Sequence, residues 1–369
     1  MKKTECIIVG AGQAGLSVAK ALRKKRIDCV LLEKDRRIGD VWRRRQDSMR
    51  LFTSRAMTEL PGLSMRGERN GYPDKHEVAD YLERYARYYD LDLCTEMEVK
   101  AVHCQDGMYQ VYANDDRTFQ APCLVNATGA NQLAIVPPEA EQLSEEVIQL
   151  SADQYQRPEQ VGKGRKIIIV GDGSSGRMIA RELSAEHQVT LFCGARRVFI
   201  SHHIFGKDIF WWLTATRILY ADTHSLIGKI LRRRNPIPSK SLNDDKLVDA
   251  GIRLAGRLER CDGRYLIDSE RRRYKADVVI WCLGYREDTR WLTLPDAVDE
   301  HGFICENGYQ HGGKTPYPGL FIVGKKWLSC RGSELVQGAA KDAMRVADWI
   351  ECYLDDFSKN QTTLRDNER

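Results

Sequence analysis

Glycines at positions 10, 12 and 15, and again at 171, 173 and 176, have a spacing that points to chemistry. Gly10-Ala11-Gly12-Gln13-Ala14-Gly15 and Gly171-Asp172-Gly173-Ser174-Ser175-Gly176 both read GxGxxG. That motif alone is weak evidence, and its context decides what it means. The first follows the apolar run Cys6-Ile7-Ile8-Val9 and opens a helical pattern of Leu16, Ala19 and Leu22. The second follows Lys166-Ile167-Ile168-Ile169-Val170 and opens one of Met178, Ile179 and Leu183. In a strand–loop–helix unit the first glycine permits the tight turn and the second lets the backbone approach a pyrophosphate. The third lets helix and strand pack closely, and the helix N-terminus presents unpaired N–H groups to the phosphates. The chemistry is dinucleotide binding, and it occurs twice.

The strand after each loop separates the two sites. Cys29-Val30-Leu31-Leu32 ends at Glu33, eighteen residues after Gly15, where a carboxylate accepts hydrogen bonds from ribose hydroxyls. Val189-Thr190-Leu191-Phe192 runs instead into Cys193-Gly194-Ala195-Arg196-Arg197, a turn without an acid. A carboxylate there would repel a 2′-phosphate, whereas a guanidinium binds one in a charge-assisted fork. The first loop therefore reads as a site for a dinucleotide with free ribose hydroxyls. The second reads as a site for NADPH, with Arg196 and Arg197 on its phosphate. The bland reading of that arginine pair is a solvated basic turn.

These loops need sheets to hold them. At 369 residues, 42% hydrophobic, the chain is long enough for two cored domains. Val125-Asn126-Ala127-Thr128-Gly129, Val278 to Gly284, and Gly319 to Gly324 are further apolar strands ending in glycine. Ser333 to Leu354 carries an apolar stripe at helical spacing, Leu335, Val336, Ala339, Ala343, Val346 and Ile350. The expected fold is α/β, with two Rossmann-like dinucleotide-binding domains. The second domain, 151–287, would be inserted into the first, 1–150 and 288–369, and would carry a helical insertion near 204–245.

Composition excludes several other classes. A net charge of +5 is too small for a histone-like binder of nucleic acid. Eleven scattered cysteines without a CxxC argue against a disulfide framework, a zinc ribbon or a thioredoxin-type dithiol. The first apolar run has four residues, shorter than the roughly 7 to 15 of a secretory signal. No stretch approaches the roughly 18 apolar residues of a membrane span. A cytoplasmic, soluble chain is expected, and the sequence is silent on oligomeric state. Between Ile204 and Arg234, aromatic residues such as Phe205, Trp211 and Trp212 mix with Lys207, Arg217, Lys229 and Arg232-Arg233-Arg234. We read this segment as packed over the nucleotide domains with a solvated basic end, in preference to a surface lying on anionic lipid. His202-His203 and His187 lack partners at ligand spacing, so no metal site is expected.

Further segments carry a family resemblance. They are Gly39-Asp40-Val41-Trp42-Arg43, Asp47 to Thr53, Tyr72-Pro73 with Glu77 to Leu82, Trp281 to Arg286, and Trp327-Leu328 with Arg331. With these the chain resembles the class B flavoprotein monooxygenases, the flavin-containing and Baeyer-Villiger enzymes. Within them it is similar to the short bacterial CzcO-like branch, to which Gly206 to Leu213 and Leu231 to Arg234 are particular. The resemblance implies tightly bound FAD in the first domain and NADPH in the second. It implies that hydride reduces the flavin, that O2 adds at flavin C4a, and that one oxygen atom passes to a small organic substrate such as an amine, sulfide, ketone or aromatic acid. By position Gly10, Gly12, Gly15, Glu33, Val41 and Trp42 would hold FAD, together with Gln13, Ala14, Thr128 and Gly129. Thr53 and Ser54 would line the isoalloxazine, with Tyr285, Trp327 and Arg331 shaping the cleft. Gly171, Gly173, Ser174, Ser175, Gly176, Arg196 and Arg197 would hold NADPH. No catalytic acid or base is implied, because the cofactor carries the hard chemistry.

Two departures stand beside this. The fingerprint FxGxxxHxxxY should precede the second loop, but the best local match, Leu143-Ser144-Glu145-Glu146-Val147-Ile148-Gln149, lacks its Phe, Gly and His, and only Tyr155 remains, displaced by about a residue. The asparagine that flavin-containing monooxygenases place beside the flavin has Ser54 or a neighbour at its point. The rivals are an NADPH oxidase or a quinone or other acceptor reductase, and, outside catalysis, a nucleotide-binding redox sensor. A flavin disulfide reductase would need CxxC or CxxxxC, which the sequence lacks.

Overall fold

A computed structural model of the chain describes residues 1–194, 196–300, 302–305 and 312–367. Along the chain run β1 (Cys6–Val9), α1 (Gln13–Lys24), β2 (Cys29–Leu32), α2 (Lys75–Tyr88), β3 (Leu93–Cys94) and β4 (Cys123–Asn126). Then come β5 (Ile148–Ser151), β6 (Lys166–Val170), α3 (Ser174–Leu183), β7 (Gln188–Phe192), α4 (Ile209–Ala215) and α5 (Leu226–Arg234). The chain continues with β8 (Arg253–Ala255), β9 (Val278–Trp281), β10 (Leu320–Ile322) and α6 (Val336–Asn367). Two five-stranded parallel sheets result, in the orders β10-β4-β1-β2-β3 and β5-β9-β6-β7-β8. Both glycine loops leave the C-terminal end of the central strand.

Every residue of β1 is buried, as a parallel strand covered on both faces requires. Successive side chains point to opposite faces, so Ile8 packs with Leu16 and Leu22 of α1, Leu82 of α2 and Ile350 of α6. Ile7 packs on the other side with Val102, Tyr109 and Val111, from the antiparallel strands of a four-stranded sheet. The second sheet repeats this plan. Ile167 and Ile169 meet Ile179 and Leu183 of α3, while Ile168 meets Leu266 and Tyr274 of a three-stranded antiparallel layer.

β5 pairs with β9 inside the second sheet, so the chain has already crossed to that sheet by residue 148. On the way between the sheets, Leu133–Ala134 of the outgoing chain pairs antiparallel with Tyr285–Arg286 of the returning one. The long helix α6 starts three residues later than its apolar stripe predicts, because Arg331–Glu334 forms a 3-10 turn. It continues past Leu354 through polar sequence that contains neither glycine nor proline to stop it.

Residues 202–223 lean on Phe52, Tyr72 and Ser329. The His202 ring meets the Phe52 carbonyl at 2.6 Å, the His203 ring meets the Tyr72 hydroxyl at 2.8 Å, and the Thr223 N–H donates to the Ser329 carbonyl at 3.0 Å. The two histidines thus serve as struts. Among the described residues no helix is long and apolar enough to cross a membrane, and no group of three or more His, Cys, Asp or Glu could hold a metal ion.

Candidate functional site

The first loop is shaped by its glycines. Gly10 has φ +101°, and a Cβ there would stand 2.7 Å from the Ala127 carbonyl oxygen. A Cβ on Gly15 would overlap the carbonyl oxygen of Gly10, whereas one on Gly12 would meet nothing within 4 Å. Gly12 also caps α1 without a side-chain hydrogen bond, and the first turn carries no acid. The result is a row of backbone N–H groups at a positive helix end, facing open space that a phosphate fits.

Beside it Glu33 accepts from the Ala11 N–H at 2.8 Å and the Asp35 N–H at 3.0 Å. Burial pushes its carboxyl above the usual range, against the pull of those N–H groups. The loop opens into a cavity of about 740 Å³, the size of a cofactor site. Gly10, Gly12, Gln13, Ala14 and Glu33 line it, as do Val41, Trp42, Thr128 and Gly129, while Gly15 is buried behind them. Lining residues that the sequence reading missed include Gln132, whose amide donates to the Thr128 hydroxyl (2.8 Å) and the Gly129 carbonyl (2.6 Å). Gly324, with φ +73°, also lines it, and a Cβ there would press on Ala14. Only the strand-then-glycine pattern at 319–324 hinted at its place.

The second loop repeats the geometry. Gly171 has φ +109°, a Cβ on Gly171 would overlap the Cys282 carbonyl oxygen, one on Gly176 would overlap that of Gly171, and one on Gly173 meets nothing. Its helix, α3, likewise lacks a side-chain cap and a first-turn acid. Gly171, Gly173, Ser174, Ser175, Gly176 and Arg197 line a second cavity of about 960 Å³.

The turn itself carries no acid, as the sequence shows, but the glycine loop brings one to it. Asp172, the second residue of the loop itself, is buried and reaches the turn after β7. Its Oδ1 accepts from Arg197 Nη2 at 3.1 Å and Nε at 3.2 Å, and its Oδ2 lies 3.5 Å from buried Arg177. Arg196 is exposed and does not line the cavity, Ala195 lies outside the described residues, and Arg257, from just beyond β8, lines it instead.

The two cavities share a wall made by Trp42, Arg45, Ala130, Asn131, Tyr285 and Glu334. Arg45 stacks over the Trp42 ring at 5.5 Å, and Glu334 is held by Arg331, which itself sits over Trp327 at 5.3 Å. Burial pushes the Tyr285 phenol up, so it stays neutral as a hydrogen-bonding group. Thr53 lines the larger cavity, with its hydroxyl 2.9 Å from that of Thr58. Ser54 lines neither; it is buried, and its carbonyl accepts from the Thr58 hydroxyl at 2.8 Å.

The segment where a monooxygenase fingerprint is expected has a structural occupation. Gln149, in edge strand β5, accepts from the Trp281 indole at 3.0 Å. Tyr155 is fully buried and donates to Glu182 at 2.8 Å, and burial followed by that carboxylate pushes its phenol up.

Comparison with known proteins agrees with this geometry. A family model described as pyridine nucleotide-disulphide oxidoreductase matches residues 7–203. A CzcO-like oxidoreductase from Geobacillus kaustophilus is 35% identical over 341 residues, covering 92% of this chain and 96% of that one. The solved flavin-containing monooxygenase from Stenotrophomonas maltophilia is 23% identical with a TM-score of 0.79, covering 96% of this chain and all of its own. OTEMO in complex with FAD and NADP is 13% identical with a TM-score of 0.68, over 96% of this chain and 86% of that one. Both likenesses show the fold, and with the paired glycine loops they support FAD and NADPH as the cofactors. Family membership also decides between enzyme and non-catalytic sensor in favour of an oxidoreductase. The chain belongs to the pyridine nucleotide-disulphide oxidoreductase family, in its flavin monooxygenase-like CzcO branch.

Proposed function

We propose that this oxidoreductase is an NADPH-dependent FAD monooxygenase, placing one O2-derived oxygen atom on a small organic substrate. The shared wall carries the reading. Two dinucleotide-sized cavities that meet at Trp42, Arg45, Tyr285 and Glu334 allow the reactive ends of two nucleotides to approach each other there.

In this reading the part of the chain built on the sheet β10-β4-β1-β2-β3 holds FAD, and the part built on β5-β9-β6-β7-β8, which begins by residue 148, holds NADPH. Gly10, Gly12 and the N-terminus of α1 take the FAD pyrophosphate, and Glu33 takes its ribose. Gly173, Ser174 and Ser175 take the NADPH pyrophosphate, and Arg197 with Arg257 takes its 2′-phosphate. Bound FAD would supply hydride acceptance and oxygen activation. The chain's own residues orient and shield: Trp42 and Tyr285 narrow the junction, Met49, Leu51 and Phe52 make its side apolar, and Arg331 holds Glu334 in place.

The occupied fingerprint segment favours one second reading, an NADPH oxidase or acceptor reductase without oxygen transfer. Turnover under 18O2 with an amine, a sulfide and a ketone separates the two. Label in the product, with NADPH consumed in equal amount, is the result expected. Stoichiometric hydrogen peroxide with no labelled product would replace the first reading with the second.

A further inference from the structure

Helix α5, Leu226-Ile227-Gly228-Lys229-Ile230-Leu231-Arg232-Arg233-Arg234, is oriented against the expectation for a packed insertion. Its buried side is Gly228, where a Cβ would overlap the Asp222 carbonyl oxygen, so the helix rests backbone to backbone on the preceding loop. That contact fixes the rotation of the helix and turns its apolar residues outward. Leu226 is 80% exposed and Ile230 55%, and Ile227 shares their face. The same face continues one turn later into Arg233 and Arg234, also exposed, before Asn235 in the left-handed region stops the helix.

Upstream, Phe205 stands 91% exposed at the tip of the hairpin His203–Ile204/Lys207–Asp208, beside Trp212 and next to half-exposed Trp211. A singly exposed leucine means little, but exposed apolar residues grouped with cations do. Residues 204–234 hold six cations, Lys207, Arg217, Lys229, Arg232, Arg233 and Arg234, against Asp208 and Asp222. Asp208 is buried and accepts from the Trp211 N–H, which leaves exposed Asp222 alone against the six cations of the segment.

We propose that this segment is a docking surface for an anionic lipid bilayer. Leu226, Ile227 and Ile230 would enter the headgroup boundary while the arginines and lysines neutralise lipid phosphate. Charge complementarity selects this partner, because an apolar face flanked by cations in excess of acids suits an anionic surface better than a second positive copy of itself. The segment is also part of the reaction cleft. Phe210, Asn235, Pro236, Ile237 and Pro238, between and beyond its exposed residues, line the 960 Å³ cavity. A docked enzyme therefore holds that cavity's wall against the membrane, where a bilayer-dissolved substrate or electron acceptor is concentrated. The docking itself does not depend on which chemistry the cleft performs.

Co-sedimentation of the purified protein with vesicles tests this without turnover. Phosphatidylcholine vesicles containing phosphatidylglycerol are compared with pure phosphatidylcholine, for the wild type, for Leu226→Ser with Ile230→Ser, and for Arg232→Ser with Arg233→Ser and Arg234→Ser. The wild type is expected to sediment with the anionic vesicles only and to be released by salt, with each variant losing at least about fivefold in the bound fraction. These residues are exposed, and circular dichroism checks that the variants stay folded. Failure to bind anionic vesicles, or equal binding by the apolar variant, overturns the proposal. A wild-type dimer that the apolar variant converts to monomer, with no vesicle binding, assigns the face to a second copy of the chain and overturns it too.

Discussion

Asp172 Oδ1 and Arg197 Nη2 stand 3.1 Å apart, which ties the second glycine loop to the turn after β7. The carboxylate is buried, and its other oxygen faces Arg177, which also reaches Asp244 at 2.8 Å, the Leu242 carbonyl at 2.8 Å and the Asp172 backbone carbonyl at 3.0 Å. Arg197 is held half in place by the protein before any phosphate arrives. Asp172→Asn removes the charge shared by both guanidiniums and leaves Arg177 buried with one carboxylate. We expect a loss of about 3 kcal/mol in unfolding free energy by denaturant titration. An unchanged midpoint would show that Asp172 is not a keystone of this loop.

Arg197 and Arg257 line the larger cavity, the one we propose for NADPH, and Arg196 does not. Losing a charge-assisted hydrogen bond of about 1.5–3 kcal/mol corresponds to roughly 10- to 150-fold in affinity. Arg197→Ala and Arg257→Ala are expected to lower the preference for NADPH over NADH by at least about tenfold, measured as the ratio of kcat/KM for flavin reduction. Arg196→Ala should leave that ratio within about twofold. The opposite ranking would return the phosphate to the exposed arginine.

The glycines divide into two kinds by what a methyl group would meet. Gly15→Ala and Gly176→Ala push a Cβ into a backbone carbonyl, which cannot move aside cheaply, so both should lose folded protein at a cost above about 3 kcal/mol. Gly12→Val meets open space and should fold, with unaltered circular dichroism, yet purify without stoichiometric flavin. A Gly12→Val protein that retains full flavin absorbance would remove the first loop from the FAD site.

Acid stability should depend on Asp268. Burial opposes its ionisation, but the Arg272 guanidinium, the N–H groups of Arg272 and Gly256 and the Tyr274 hydroxyl outweigh it and hold the carboxyl well below the usual range. The folded state then binds this proton more weakly than the unfolded chain. The stabilisation is fully present above the ordinary carboxylate pKa of about 3.9 and is lost as pH falls towards the folded value. Asp268→Asn should lower Tm at neutral pH and flatten the fall of Tm between about pH 5 and pH 3. A variant with a parallel, unshifted Tm–pH curve would refute the assignment.

Much of this site is local in sequence and therefore readable there. A strand, three glycines and a helix occupy about twenty consecutive residues, and their steric demands are met by one another, as Gly15 against Gly10 shows. Glu33 follows one strand later and lines the expected cavity. What escaped the reading depends on distant partners. Arg197 differs from Arg196 only because Asp172, 25 residues upstream, reaches one of them. Gln132, Arg257 and Glu334 carry no motif of their own and enter the cavities through long-range packing. The outward turn of α5 was equally hidden, because periodicity locates an apolar face without saying whether anything covers it.

The short pairing of Leu133–Ala134 with Tyr285–Arg286 makes the two crossings a single ribbon. Two independent strings would let one domain swivel freely over the other. Two strands hydrogen-bonded side by side bend easily about the axis across them and resist torsion. Twisting one sheet against the other is thereby resisted at the crossing, in addition to the struts made by His202, His203 and Thr223. Tyr285, on the ribbon itself, faces both cavities, so opening the cleft must carry this ring with it.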